Sequence, residues 1–94
     1  MDSKRYRCAC CGYQTLPFPS PSDDICPVCG WQDDFVDNQD TNVLGPNRVR
    51  LSIAQGNFEI YGASEARLAD RTREPRDGEG PPEPWTETRD KAEL

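Results

Sequence analysis

The sequence predicts a small metal-stabilised α+β domain: cysteine-bearing β-hairpins, then one or two short helices, then a flexible acidic tail. Three observations predict it. Four of the five cysteines fall into two C-x-x-C-G turns, at 8–12 and 26–30. The chain has 94 residues, only 34% of them apolar, and nine prolines and seven glycines interrupt it. A core built from that inventory is thin, so a staple is expected. Helical periodicity is confined to the stretch around residues 52–61, where Ala54, Phe58 and Tyr61 stand at i, i+4 and i+7.

The elements follow in order. Lys4-Arg5-Tyr6-Arg7 suits an edge strand entering the first cysteine turn, and Tyr13-Gln14-Thr15-Leu16 alternates and returns as its hairpin partner. Pro17-Phe18-Pro19-Ser20-Pro21-Ser22 can be neither strand nor helix interior and is the connecting loop. Trp31, just past the second turn, is expected to pack over the hairpins. Residues 34–47 are irregular, with turn chemistry at 37–42 and a break at Gly45-Pro46-Asn47. A helix then starts at Ser52 as N-cap, with Gln55 completing a capping box, and stops at Gly62 in the left-handed region. Gly56 inside it costs roughly 1 kcal/mol against alanine, so this helix needs docking to persist. Ser64 is expected to cap a second short helix over 65–71, with Ala66 and Leu68 as its apolar contacts. From Glu74 the chain is rich in Pro, Gly and acid, which predicts a disordered or extended tail. Trp85 is the large apolar residue of that tail. The division is 1–46 four-cysteine region, 47–73 helical extension packed on it, and 74–94 tail; a chain cut after Arg73 is expected to keep its fold.

A tetrahedral zinc ion takes four ligands, with sulfur at about 2.3 Å. A C-x-x-C-G turn aims two sulfurs at one point, its glycine permits the tight backbone, and its amides can hydrogen-bond the sulfurs. Two such turns give the quartet Cys8, Cys11, Cys26 and Cys29, with one Zn2+ per chain. The fourteen residues between Cys11 and Cys26 leave room for a hairpin and a loop, which is a zinc-ribbon spacing. Cys10 lies between the ligands of the first turn, aimed away from the metal, and is expected to be a small, partly buried bystander. Iron is the alternative occupant: Cys-x-x-Cys-Gly-Tyr and Cys-Pro-Val-Cys-Gly also resemble the two turns of a rubredoxin, and four-sulfur sites accept iron as well as zinc. Rubredoxins hold those turns much further apart.

The net charge of −6 is unevenly placed. Asp33, Asp34, Asp37 and Asp40 stand without a cation in 31–46, whereas 47–73 holds five arginines against Glu59, Glu65 and Asp70. A filled four-thiolate site adds roughly two more negative charges. Such a surface repels nucleic-acid phosphates. The N-terminus lacks the apolar run of a secretory signal, and no stretch approaches a membrane span of about 20 apolar residues. Both point to the cytoplasm, where reduced thiols bind metal rather than pair.

The four aspartates do not follow an EF-hand spacing and are expected to form a solvated loop, or one holding Arg48 and Arg50. Tyr6, Tyr13, Phe18, Trp31, Phe35, Phe58 and Tyr61 are expected to make the small core. There is no histidine, which removes the commonest general base. Four cysteine ligands leave a metal no open position for substrate. The chain is therefore not expected to be an enzyme.

Several runs resemble a known family. They are Cys8-Ala9-Cys10-Cys11-Gly12-Tyr13-Gln14-Thr15-Leu16, then Asp24-Ile25-Cys26-Pro27-Val28-Cys29-Gly30-Trp31-Gln32-Asp33-Asp34, then Asn47-Arg48-Val49 with Leu51-Ser52-Ile53-Ala54, Asn57-Phe58 and Tyr61-Gly62-Ala63-Ser64. In that order they look like the bacterial cysteine-rich CPCC domain family over about residues 6–73. The family's proline between the first cysteines is Ala9 here, which touches turn rigidity and not ligand identity. The resemblance implies the fold and the metal, and no reaction. The function expected is a non-catalytic zinc-binding module acting through contact with a protein partner. The alternatives are a rubredoxin-like iron electron carrier and, more weakly, a nucleic-acid-binding zinc ribbon.

Overall fold

In the computed structural model, which describes residues 5–82, β1 (Tyr6–Arg7) and β2 (Gln14–Leu16) pair antiparallel with Tyr6 opposite Leu16 and Arg7 opposite Gln14. The first cysteine turn joins them. Cys8 N donates to Tyr13 O and Gly12 N to Cys8 O, each at 2.9 Å. The second turn repeats this pattern: Cys26 N donates to Trp31 O at 2.9 Å and Gly30 N to Cys26 O at 2.8 Å. Gly12 and Gly30 both sit at positive φ, 81° and 87°, which glycine adopts without steric cost. An isolated bridge between Ile25 and Gln32 takes the place of the strand pair at the second turn.

The acidic stretch is not a solvated loop throughout, because Asp33 and Asp37 are buried. Asp33 accepts from Ser20 Oγ at 2.7 Å, Ser22 N at 2.9 Å and Asn38 Nδ2 at 2.6 Å. Asp37 accepts from Gly45 N at 2.6 Å and from Asn47 N and Nδ2 at 2.8 Å each. Backbone outside helix and sheet must still find partners, and these carboxylates supply them. Asp40 does hold Arg50, at 3.5 Å, while Arg48 is exposed.

The helix α1 (Leu51–Tyr61) starts one residue earlier than Ser52, with extended Arg50 before it and no side-chain cap from that residue. Ser52 lies inside the first turn. Its amide and hydroxyl both donate to Asp40 Oδ1, at 3.0 and 3.1 Å. The cap is thus borrowed from twelve residues upstream, where a 3-10 turn (Asp37–Gln39) ends with Asp40 in the left-handed region. Gln55 reaches the first cysteine turn, where its Nε2 donates to Ala9 O at 3.0 Å and ties the helix to it. Gly62 ends the helix at φ 74°, its amide bonded to Phe58 O, as the sequence predicts.

Leu51 and Ala54 are buried, and Phe58 packs edge-on against Tyr13 with centroids 6.2 Å apart. Tyr61 belongs to the same face but is exposed, as are Phe18 and Phe35, so the expected aromatic core is smaller than seven rings. The cysteines themselves fill the space, together with Leu16, Val28, Trp31 and Ala54. Trp31 is fully buried and donates from Nε1 to Asn38 Oδ1 at 2.8 Å. The second helix is a 3-10 helix (Ala66–Arg71) rather than an α-helix, and Ser64 does not cap it. Ser64 is buried, and its amide donates to Cys29 O at 2.7 Å.

The packed body extends beyond Arg73. Glu79 is buried, receives both terminal nitrogens of Arg73 at 2.9 and 2.8 Å, and accepts at its carbonyl from Gln14 N at 2.7 Å. Gly80 lies so close to Tyr13 that a Cβ there would meet Cε1 at 2.9 Å. The expected boundary at Glu74 thus falls inside a closed loop, because one buried carboxylate needs the Arg73 guanidinium. Trp85 and the rest of 83–94 lie outside the described residues.

Candidate metal centre

The two cysteine turns face each other, and their four outer sulfurs converge. The Sγ atoms of Cys8, Cys11, Cys26 and Cys29 all lie within 4.8 Å of one another. Cys8 and Cys29 are 3.6 Å apart, and Cys11 and Cys26 3.7 Å. A tetrahedron with sulfur about 2.3 Å from its centre has edges of about 3.8 Å. The donor set therefore fits a single tetrahedral ion. All four residues are at most 4% exposed.

The electrostatics of the quartet suits a cation. Cys11, Cys26 and Cys29 lie around Cys8; bonding with Cys11 and Cys26, together with burial, pushes its thiol up. Cys26 and Cys29 push Cys11 up, and Cys10, Cys26 and Cys8 push Cys29 up. Cys26 alone is driven down, by Cys11 first, then Cys29 and Cys8, with a smaller contribution from Thr15. Thiols pushed up at three of the four positions oppose several thiolates at once. A divalent metal removes that opposition.

The surroundings are built for sulfur anions. Cys10 N points at Cys8 Sγ at 3.4 Å and Trp31 N at Cys29 Sγ at 3.5 Å. Thr15 Oγ1 stands 3.0 Å from Cys26 Sγ, so its hydroxyl donates to that sulfur when it is a thiolate. Such outer contacts orient ligands and tune a metal. The sequence reading missed Thr15: it and its neighbour Leu16 are both buried, so the alternation of β2 does not single it out. Cys10 stands outside the quartet, yet it is fully and not partly buried.

Two equivalent turns, a buried sulfur quartet and one docked helix define a small cysteine-rich domain able to hold a metal ion. The chain belongs to the Cysteine-rich CPCC family, whose model matches residues 6–79. The match ends at Glu79, the carboxylate that closes the loop on Arg73. No curated protein and no solved structure matches the chain. Among the described residues, no helix is long and apolar enough to cross a membrane.

Proposed function

We propose that this is a non-catalytic zinc-binding module that works in the cytoplasm through contact with another protein. The observation that carries it is the closed quartet of buried sulfurs. Zinc suits a tetrahedral site of four thiolates, and such a site has no position left for a substrate or a reactive water. The absence of histidine from the sequence supports the same reading. The net charge of −6, more negative once the site is filled, favours a protein partner over nucleic acid. Exposed apolar side chains on α1, Ile53 and Ile60, add contact surface.

Elemental mass spectrometry on protein purified without added metal tests the reading, together with thiol titration before and after chelation. One zinc per chain with four protected thiols is the expected result. One iron per chain with visible absorption would replace it with an electron carrier, since the same sulfurs accept iron. Affinity for nucleic acid falling steeply with salt would replace it with a nucleic-acid-binding domain.

A further inference from the structure

A groove of about 350 Å3 lies where the C-terminal end of α1 meets the 3-10 helix Ala66–Arg71 and the second cysteine turn. Its lining is mixed: Val28, Phe58, Tyr61, Ala69 and Pro75 are apolar or aromatic, and Arg73 is charged. The volume is at the lower end of ligand cavities, enough for one large side chain. Tyr61 is 48% exposed, a large ring left open to water.

The chain's own C-terminal segment leads to this groove. Glu79 holds Arg73, a lining residue, through two bonds of 2.9 and 2.8 Å. One residue on, Gly80 abuts Tyr13, where a Cβ would stand 2.9 Å from Cε1. Tyr13 in turn packs edge-on against Phe58, another lining residue. The described residues end at Pro82, and Trp85 is the one aromatic of 83–94. An extended chain covers at most about 3.3–3.6 Å per residue, so the residues from Gly80 to Trp85 reach about 17 Å. The groove wall is two side-chain contacts from Gly80, within that reach.

Tryptophan also suits the lining. It brings a large apolar body, an N–H for polar neighbours and the best ring for stacking on a guanidinium, and Glu79 holds that of Arg73 in place. A short tether gives the ring an effective concentration in the millimolar range. A contact too weak to hold a separate protein or a second copy is therefore populated within one chain.

We propose that Trp85 docks in this groove and braces the second cysteine turn from outside. Val28 lies between Cys26 and Cys29, so a ring seated on it rests on the turn that carries two of the four sulfurs. The dock is independent of the metal's identity and of any partner.

Fluorine NMR of the metal-loaded full-length protein, labelled with fluorotryptophan, tests it. Trp31 and Trp85 give one resonance each, assigned by Trp85→Phe, and the buried Trp31 reports folding. The expected Trp85 resonance shifts little when H2O is exchanged for D2O, at any protein concentration. It should gain the full solvent shift in Tyr61→Ser and in Ala69→Glu while Trp31 stays in place. Both positions are exposed and stand on different elements, so the fold should survive at least one of the two. A Trp85 resonance with the solvent shift of free fluorotryptophan overturns the dock, as does a shielded one indifferent to both substitutions. Shielding lost on dilution would assign the groove to the tail of a second copy and overturn it equally. Metal release to a chelator should be faster in Trp85→Ala than in the parent, and equal rates would overturn the brace.

Discussion

Cys26 is the sulfur most favoured as a thiolate: Cys11, Cys29 and Cys8 bond to it, and Thr15 adds a hydroxyl. Replacing Cys26 and Cys29 by serine together should abolish metal binding and unfold the two turns, because metal affinity and folding are one free energy in such sites. A native-like melt of that double variant, followed by circular dichroism, would remove the metal assignment. Cys10→Ser should keep one metal per chain, with a stability loss of about 1 kcal/mol from the altered packing. Glu79 is the other residue of consequence. Arg73 first, then the Arg76 amide and Arg5, hold its carboxyl below the usual range despite burial. A depressed folded pKa gives stability that is present above the unfolded value of about 4.3 and lost as pH falls through the folded one. Glu79→Gln should therefore melt lower than the parent by a margin that is flat from about pH 5 to 8 and narrows below about 4.3. A margin that instead grows toward acid would contradict the Arg73 pairing.

At the scale of elements, the loop 34–46 and α1 are one unit. Asp37 closes the neck of the loop on Gly45 and Asn47, and Asp40 then caps the helix at Ser52. Burial alone would raise the Asp40 carboxyl, but the Ser52 amide and hydroxyl and the Arg50 guanidinium outweigh it and hold it down. Asp40→Ala removes the cap and leaves a non-glycine at φ 57° without its side-chain bonds. The expected loss is about 1–2 kcal/mol, read as a drop in melting temperature, with Asp40→Asn milder because it keeps an acceptor and tolerates the left-handed region. Equal losses for the two variants would show that charge rather than capping matters. The helix was legible in its apolar spacing and in Gly62. Its start was not, because Ser52 with Gln55 satisfies the local capping pattern while the acceptor in use sits twelve residues away.

For the whole molecule, the sulfur quartet and the loop that Glu79 closes on Arg73 share the work of a small core. Chelation should unfold the protein, seen as loss of the buried Trp31 fluorescence environment, and zinc should restore it. Retention of a cooperative melt in the chelated protein would mean that the sulfur-lined core suffices alone. A chain ending at Arg73 should melt below one ending at Pro82, since only the longer one keeps Glu79 on Arg73 and Gln14 and Gly80 on Tyr13. The loss should be about 1–3 kcal/mol, which for a domain of this size is several degrees or more. Coincident melts would return the boundary to Glu74.

The sequence by itself determined the two cysteine turns, the hairpin from β1 to β2, the helix that Gly62 ends and the family. Each is written in residues near one another, and short-range geometry fixes it: a glycine at positive φ, an alternation, a 3.6-residue period. Tertiary structure alone decided where Asp33, Asp37, Asp40 and Glu79 spend their charge, that Ser64 serves Cys29 and not a cap, and that Thr15 faces Cys26. Most of their partners lie six or more residues away. An acidic side chain has the same formula in a solvated loop and in a buried bond, and only the folded chain's placement of donors separates the two.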